Sequence, residues 1–153
     1  YEISTRDWSS DVCSSDLLMT YPGVPSVFMG DELGFEGKSG EDARRTINWE
    51  DRSSWDTAFF AEVKKLAKLR RTDDAFINGG LRWVAAEDNY LAYLRESKKS
   101  KVLVVIAAKP CTVDIDLSKL GYKVSKTLYG QKATGSKIKF KTNGATQGVW
   151  KLS

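Results

Sequence analysis

Two adjacent carboxylates, Asp31 and Glu32, and the acidic-basic run Glu41-Asp42-Ala43-Arg44-Arg45 are the residues whose types and spacing best suit them to chemistry. A carboxylate pair can divide general acid and general base work, one group holding a proton while the other accepts one. Asp31 and Glu32, however, follow directly on an apolar run at 24–29. Neighbours leaving a strand point to opposite sides, so these two cannot close on one bond together. They read as residues that shape a loop. Asp42, Arg44 and Arg45 form the better binding set. A guanidinium offers forked donors to vicinal hydroxyls or to a carboxylate, and an aspartate accepts from hydroxyls. The alternative for Arg44 is a surface ion pair with Asp42 or Glu41, which is worth little.

The elements that must position these groups follow from periodicity. Leu18-Met19-Thr20-Tyr21 reads as the last turn of a helix, and Pro22-Gly23 as a turn. The apolar run Val24-Pro25-Ser26-Val27-Phe28-Met29 stops at Gly30-Asp31-Glu32, as a fully buried strand of a parallel sheet does. Acidic groups past the carboxyl end of such a strand stand where α/β barrels place their sites. A polar loop runs over 31–54. Ser53, Ser54 and Asp56 are candidate caps for a helix over 55–71, whose Phe59, Phe60, Val63, Leu66, Ala67 and Leu69 approximate one apolar stripe. Asn78-Gly79-Gly80 ends it. Beyond that point the period becomes two, and strands are predicted at 81–85, 89–95, 101–107, 112–117, 122–128, 137–141 and 148–152. Their spacing is that of an antiparallel sandwich.

Composition divides the 153 residues into three. Residues 1–17 carry one arginine and four acids, 18–80 nine basic and eleven acidic residues, and 81–153 fourteen basic and five acidic, a net +9. The lysines of the last part are scattered through strands and turns without interleaved aromatics, so they read as a solvated sheet face and not as a nucleic-acid platform. No window has the apolar length to cross a bilayer. Cys13 and Cys111 show no metal or redox spacing, and there is no histidine.

Residues 1–17, Tyr-Glu-Ile-Ser-Thr-Arg-Asp-Trp-Ser-Ser-Asp-Val-Cys-Ser-Ser-Asp-Leu, resemble a translated sequencing-adaptor oligonucleotide. They are set aside as non-native, so the protein proper is expected to begin in mid-domain at about Leu18.

From Leu18 onward the order of parts is specific, and three blocks carry a resemblance. Gly23-Val24-Pro25-Ser26-Val27-Phe28-Met29-Gly30-Asp31-Glu32-Leu33-Gly34 is similar to the eighth barrel strand of the α-amylase family of glycoside hydrolases (family 13). Glu41-Asp42-Ala43-Arg44-Arg45-Thr46-Ile47-Asn48-Trp49 resembles the loop that follows it. Leu66-Ala67-Lys68-Leu69-Arg70-Arg71, with Gly79-Gly80-Leu81-Arg82-Trp83-Val84, resembles the last barrel helix leading into domain C. The branch that fits is that of bacterial α-glucosidases, maltodextrin glucosidases, cyclomaltodextrinases and neopullulanases.

The resemblance implies an α/β plus all-β chain. Residues 18–80 would be the last β/α unit of a (β/α)8 barrel, and 81–153 a domain C β-sandwich. It implies cleavage of α-glucosidic bonds in maltodextrins with retention, by an Asp nucleophile, a Glu acid/base and a third Asp. In the family these lie on the fourth, fifth and seventh strands, upstream of Leu18, so this chain is expected to lack the catalytic carboxylates and to be inactive alone. Arg44 matches the loop arginine that caps the glycone end of the site. The family's acidic partner falls on Gly40, with Asp42 two residues later. Trp49 and Trp55 suit sugar stacking by type, but read as packing at a barrel rim.

No cofactor is implied beyond the calcium that some full-length members hold. Expected partners are maltodextrins or other α-glucan oligosaccharides, with neither nucleic acid nor membrane. The resemblance favours the cytoplasm. Three alternatives stay open: a transglycosylase or isomerase of trehalose-forming type on the same scaffold, a non-catalytic carbohydrate-binding β-sandwich over 81–153, and a non-catalytic amino-acid-transporter subunit.

Overall fold

The computed structural model describes residues 8–35, 37, 39, 42, 44 and 46–153, with side chains from Ser14 onward. Three helices lead the chain: α1 (Trp8–Thr20), α2 (Thr57–Thr72) and α3 (Asp74–Asn78). Seven strands follow: β1 (Gly80–Ala86), β2 (Tyr90–Glu96), β3 (Lys101–Ala107), β4 (Cys111–Asp116), β5 (Val124–Gly130), β6 (Lys137–Thr142) and β7 (Thr146–Leu152). Every strand expected from the period-two pattern is present, within about two residues at each end. Among the described residues no helix is long and apolar enough to cross a membrane.

A five-stranded antiparallel sheet, in the order β1-β2-β3-β7-β5, forms the centre, and a two-stranded β4-β6 ribbon packs on one face. The helices cover the other. Alternation along each strand therefore serves two cores. Tyr93, Val102, Val104, Ile106 and Val149 meet Phe59, Val63, Leu66 and Phe76 of the helices. Ala92, Leu94, Leu103, Val105 and Trp150 meet Val113, Ile115 and Ile138 of the ribbon. This is why β3, Lys-Val-Leu-Val-Val-Ile-Ala, is apolar almost throughout: both of its faces are interior.

The inner pairings β2–β3 and β3–β7 run in unbroken register. The outer strands do not. β1 shifts register between Trp83 and Ala85, and β5 shifts twice, at Val124/Lys126 and Thr127/Tyr129. On the ribbon, Asp114 stands opposite Lys139 and Asp116 opposite Lys137. Lys139 and Asp114 pair at 2.8 Å, both well exposed. Lys137 and Lys139 thus lie on a solvated face where cross-strand aspartates balance them.

Gly148, in β7, fixes one detail of the ribbon-side core. A Cβ there would be driven into the Trp150 ring two residues along the same face. Gly148→Ala is therefore expected to cost about 1–3 kcal/mol by overpacking, read as a lower urea midpoint at unchanged m-value.

One local expectation needs correction, and two features were not foreseen. The run at 24–29 forms no strand: Val24 is 94% exposed, and Phe28 and Met29 are about half exposed. A strand exists only through a partner's hydrogen bonds, and among the described residues none lies beside this segment. Residues 14–17, within the segment set aside as non-native, pack with the fold. α1 runs continuously through the Leu17–Leu18 junction, burying Asp16 and packing Leu17 against the helix-side core. Residues 16, 19 and 20 share one helical face, so a helix that buries Met19 and Thr20 must bury residue 16 as well. Finally, α3 was not foreseen. Asp73 ends α2 through its own N–H to Leu69 O, and its carboxylate accepts from Ala75 N to start α3.

Candidate functional site

The head of the candidate loop is a turn that consumes its own carboxylates. Gly30 adopts φ 95°, a left-handed conformation that favours glycine, and its hydrogen bonds with Leu33 and Phe35 close a 3-10 turn at Asp31–Leu33. A Cβ at Gly30 would also press on the Phe35 ring. Asp31 Oδ2 accepts from Phe28 N at 3.1 Å, and Glu32 Oε2 accepts from Gly30 N at 3.1 Å. Both carboxylates bind the backbone of their own turn, in keeping with a shaping role. They border a cavity of about 210 Å³ that is otherwise largely apolar, with Leu18, Met19, Val27 and Phe59 on its walls. Neither Asp42 nor Arg44 reaches it.

Asp42 and Arg44 are exposed on the loop, and Asp42 N donates to Ser39 Oγ at 3.2 Å. Arg45 lies outside the described residues. Farther along, the two tryptophans separate. Trp55 is half-buried, edge-to-face with Phe60 of α2 at 6.1 Å, and the Arg52 guanidinium lies 4.9 Å from its ring centre. That ring packs, as expected. Trp49 does not: it is 64% exposed, touching Trp55 edge-to-face at 5.6 Å. Two Asx-type turns hold its surroundings. Asn48 Oδ1 accepts from Glu50 N and Asp51 N, and Asp51 Oδ1 accepts from Ser53 N. The α2 cap closes the loop, Asp56 Oδ1 accepting from Phe59 N at 2.8 Å while Asp56 N donates to Leu33 O.

Polar side chains that the sequence reading passed over fasten the helical part to the sheet. Arg95 of β2 is only 2% exposed. Its Nη1 donates to Thr20 O at the end of α1 (2.7 Å), and its Nη2 donates to Phe76 O (3.3 Å) and Gly79 O (2.7 Å) at the end of α3. Its Nε donates to Gly80 O. One cation thus serves carbonyls at two helix carboxyl ends, where positive charge is favoured. Burial and the nearby Arg70 charge pull its pKa below the ordinary value. Arg70 in turn donates to the carbonyls of Met19, Tyr21 and Gly23. Lys151 of β7 pairs with Asp73 at 2.7 Å and donates to Ser100 Oγ. Burial works to raise the Asp73 carboxyl, but bonds from Lys151, Ser100 and Ala75 N outweigh it and hold it below the usual range. The signal for Arg95 was present in sequence: it falls on the inward parity set by Tyr93, where a charge demands partners.

Asp16 has no such support. It is fully buried, and neither carboxylate oxygen has a hydrogen-bond partner among the described residues. Burial, with the nearby Glu62 charge, pushes its pKa up to about 8. Among the described residues no group of three or more Asp, Glu, Cys or His side chains is arranged to hold a metal ion.

No protein-family model matches the chain. Curated relatives do. The chain is 34% identical over 89 residues to a cyclomaltodextrinase of a Bacillus species, covering 57% of this chain and 16% of that protein. It is 33% identical over 90 residues to neopullulanase 2 of Thermoactinomyces vulgaris, covering 58% of this chain and 15% of the relative. The chain thus spans about a sixth of the length of the curated relatives it matches. Among solved structures, a debranching enzyme from Nostoc punctiforme superposes with a TM-score of 0.77 at 23% identity, over 95% of this chain and 31% of that one. The trehalulose synthase MutB from Pseudomonas mesoacidophila MX-45 superposes with a TM-score of 0.76 at 17% identity, over 98% and 40%. Likeness at these identities speaks for a shared fold.

Proposed function

We propose, from the chain's membership of the α-amylase family of glycoside hydrolases, that it is the carboxy-terminal portion of a retaining enzyme acting on α-glucosidic bonds of maltodextrins. In this reading residues 18–80 close the catalytic barrel, 81–153 are domain C, and 1–17 are foreign to the protein. The observation that carries it is the 34% identity to a cyclomaltodextrinase across 89 residues. The chemistry would follow two carboxylates a short distance apart, one attacking the anomeric carbon and one protonating the leaving oxygen, on strands outside this chain. Here Asp31 and Glu32 are tied to their own turn and are not assigned catalysis.

In the full-length enzyme Arg44 would grip sugar hydroxyls at the closed end of the site, with Asp42 and Arg45 alongside. The trehalose-forming alternative differs only in whether water or a sugar hydroxyl meets the intermediate. Likeness to a trehalulose synthase at 17% identity does not lift it above hydrolysis.

The test is the full-length protein with its natural upstream sequence, assayed on maltotriose, β-cyclodextrin and pullulan. Reducing sugar of α configuration is expected, and Arg44→Ala is expected to raise KM about tenfold through loss of a charge-assisted hydrogen bond. No release from any of the three overturns the hydrolase reading. Oligosaccharides of redistributed length without a net gain of reducing ends would support the transglycosylase. The 153-residue chain is expected to release nothing.

A further inference from the structure

Trp49 is a large apolar ring held in water. It is 64% exposed, on a loop that two Asx-type turns, at Asn48 and Asp51, lock around it. One side rests on Trp55, which is itself seated on Phe60 of α2. The ring is therefore pre-positioned, so a ligand meeting it pays little to order it. Its neighbours in sequence, Asn48, Glu50, Asp51, Arg52 and Ser53, are all exposed and polar. A protein partner would ask for a contiguous apolar patch, and among the described residues no other exposed large apolar residue stands between 30 and 76. A single aromatic face ringed by donors and acceptors suits a pyranose, whose C–H face is apolar and whose rim is hydroxyl.

We propose that Trp49 is a stacking platform for one glucose unit of an α-glucan chain, with Arg52 and Asp51 at its hydroxyl rim. The glucan class rests on the proposed function above; the platform itself rests on the exposed, fixed ring. Trp49 stands five residues beyond Arg44 on the same loop. A longer glucan could therefore engage both, Arg44 by hydrogen bonds and Trp49 by its face. The platform would raise affinity for long chains over short ones without taking part in bond cleavage.

The experiment is an NMR titration of the 153-residue chain, labelled at tryptophan indole nitrogens, with maltoheptaose and separately with cellohexaose. Maltoheptaose is expected to shift the Trp49 indole and leave Trp150 unmoved. Trp49→Ala is expected to weaken maltoheptaose binding about tenfold, the worth of one aromatic contact. Its thermal midpoint should stay unchanged, and Trp49→Phe should restore part of the affinity. Trp83→Ala, which removes the other strongly exposed tryptophan among the described residues, is expected to bind as the parent does. Cellohexaose binding as tightly as maltoheptaose overturns the α-glucan assignment. No shift at Trp49, or unchanged affinity in Trp49→Ala, overturns the platform. So does a Trp49 shielded from acrylamide quenching in the full-length protein, since upstream chain would then cover it. Glucan binding at Trp49 in a full-length protein that cleaves no glucan upholds the platform and defeats the hydrolase reading; cleavage without binding at Trp49 does the reverse.

Discussion

Replacing Asp16 by alanine is expected to stabilise the chain by about 3–4 kcal/mol at pH 7, one of the two largest effects anticipated for any single substitution here. The carboxyl is completely buried, both oxygens lack partners among the described residues, and its pKa is pushed up to about 8. The folded chain therefore keeps a proton that the unfolded chain releases above about pH 4. Where the native state binds more protons than the unfolded state, stability falls as pH rises. The ionisation-linked part of the Asp16 cost is thus absent below about pH 4, grows between about 4 and 8, and is complete above that. Chemical melts of parent and variant should lie closest at pH 4, where only the unpaired neutral carboxyl and alanine's helix preference separate them, and diverge steadily toward pH 8. Asp16→Asn should remove the pH dependence while keeping the cost of an unpaired buried amide. Equal midpoints across the range would show that Asp16 reaches water. An acid that its own fold penalises this heavily is what a foreign segment grafted onto a native helix end would bring, as proposed for residues 1–17.

The opposite sign is expected at Arg95. Arg95→Met should destabilise the chain by about 3–5 kcal/mol, because carbonyls of Thr20, Phe76, Gly79 and Gly80 lose their donor in a place where water enters poorly. Arg95→Lys should recover only a small part. A single ammonium cannot aim separate donors at carbonyls from α1, α3 and the start of β1. Urea denaturation gives the loss. Limited proteolysis gives its location, since cleavage should appear first around 20–24 and 77–80, where the two helices meet the sheet. A variant with unaltered midpoint and unaltered cleavage would make Arg95 a bystander.

The β domain was legible because its pattern is redundant. Each strand carries its own alternation, and β3 announces its doubly covered position by lacking one. α2 was legible for the same reason, its Phe59, Val63 and Leu66 recurring at helical spacing over an aspartate cap. The segment at 24–29 failed for a physical reason. An apolar run states that a strand would be stable if paired, and pairing is a property of the neighbours. α3 was hidden by its length, five residues that two aspartates and the Gly79 turn define better than any periodicity. At the candidate site, adjacency alone spoke against Asp31 and Glu32 as a catalytic pair, while the bonds that tie them to their turn are visible only in the fold. Trp49 was misjudged because residue type cannot tell a ring that packs from one that is held out.

The register shifts confined to β1 and β5 bear on how this chain behaves in a crowd. A sheet that ends in a straight, evenly spaced row of donors and acceptors invites a second molecule to extend it, and Lys-Val-Leu-Val-Val-Ile-Ala is a sequence that would propagate readily if reached. Here that sequence is the middle strand, with two strands on either side. Both outermost strands break step, so an incoming strand would lose its hydrogen-bond rhythm within a few residues. The most adhesive stretch of the chain is thus screened by borders that do not template, and sheet-to-sheet growth would require unfolding first.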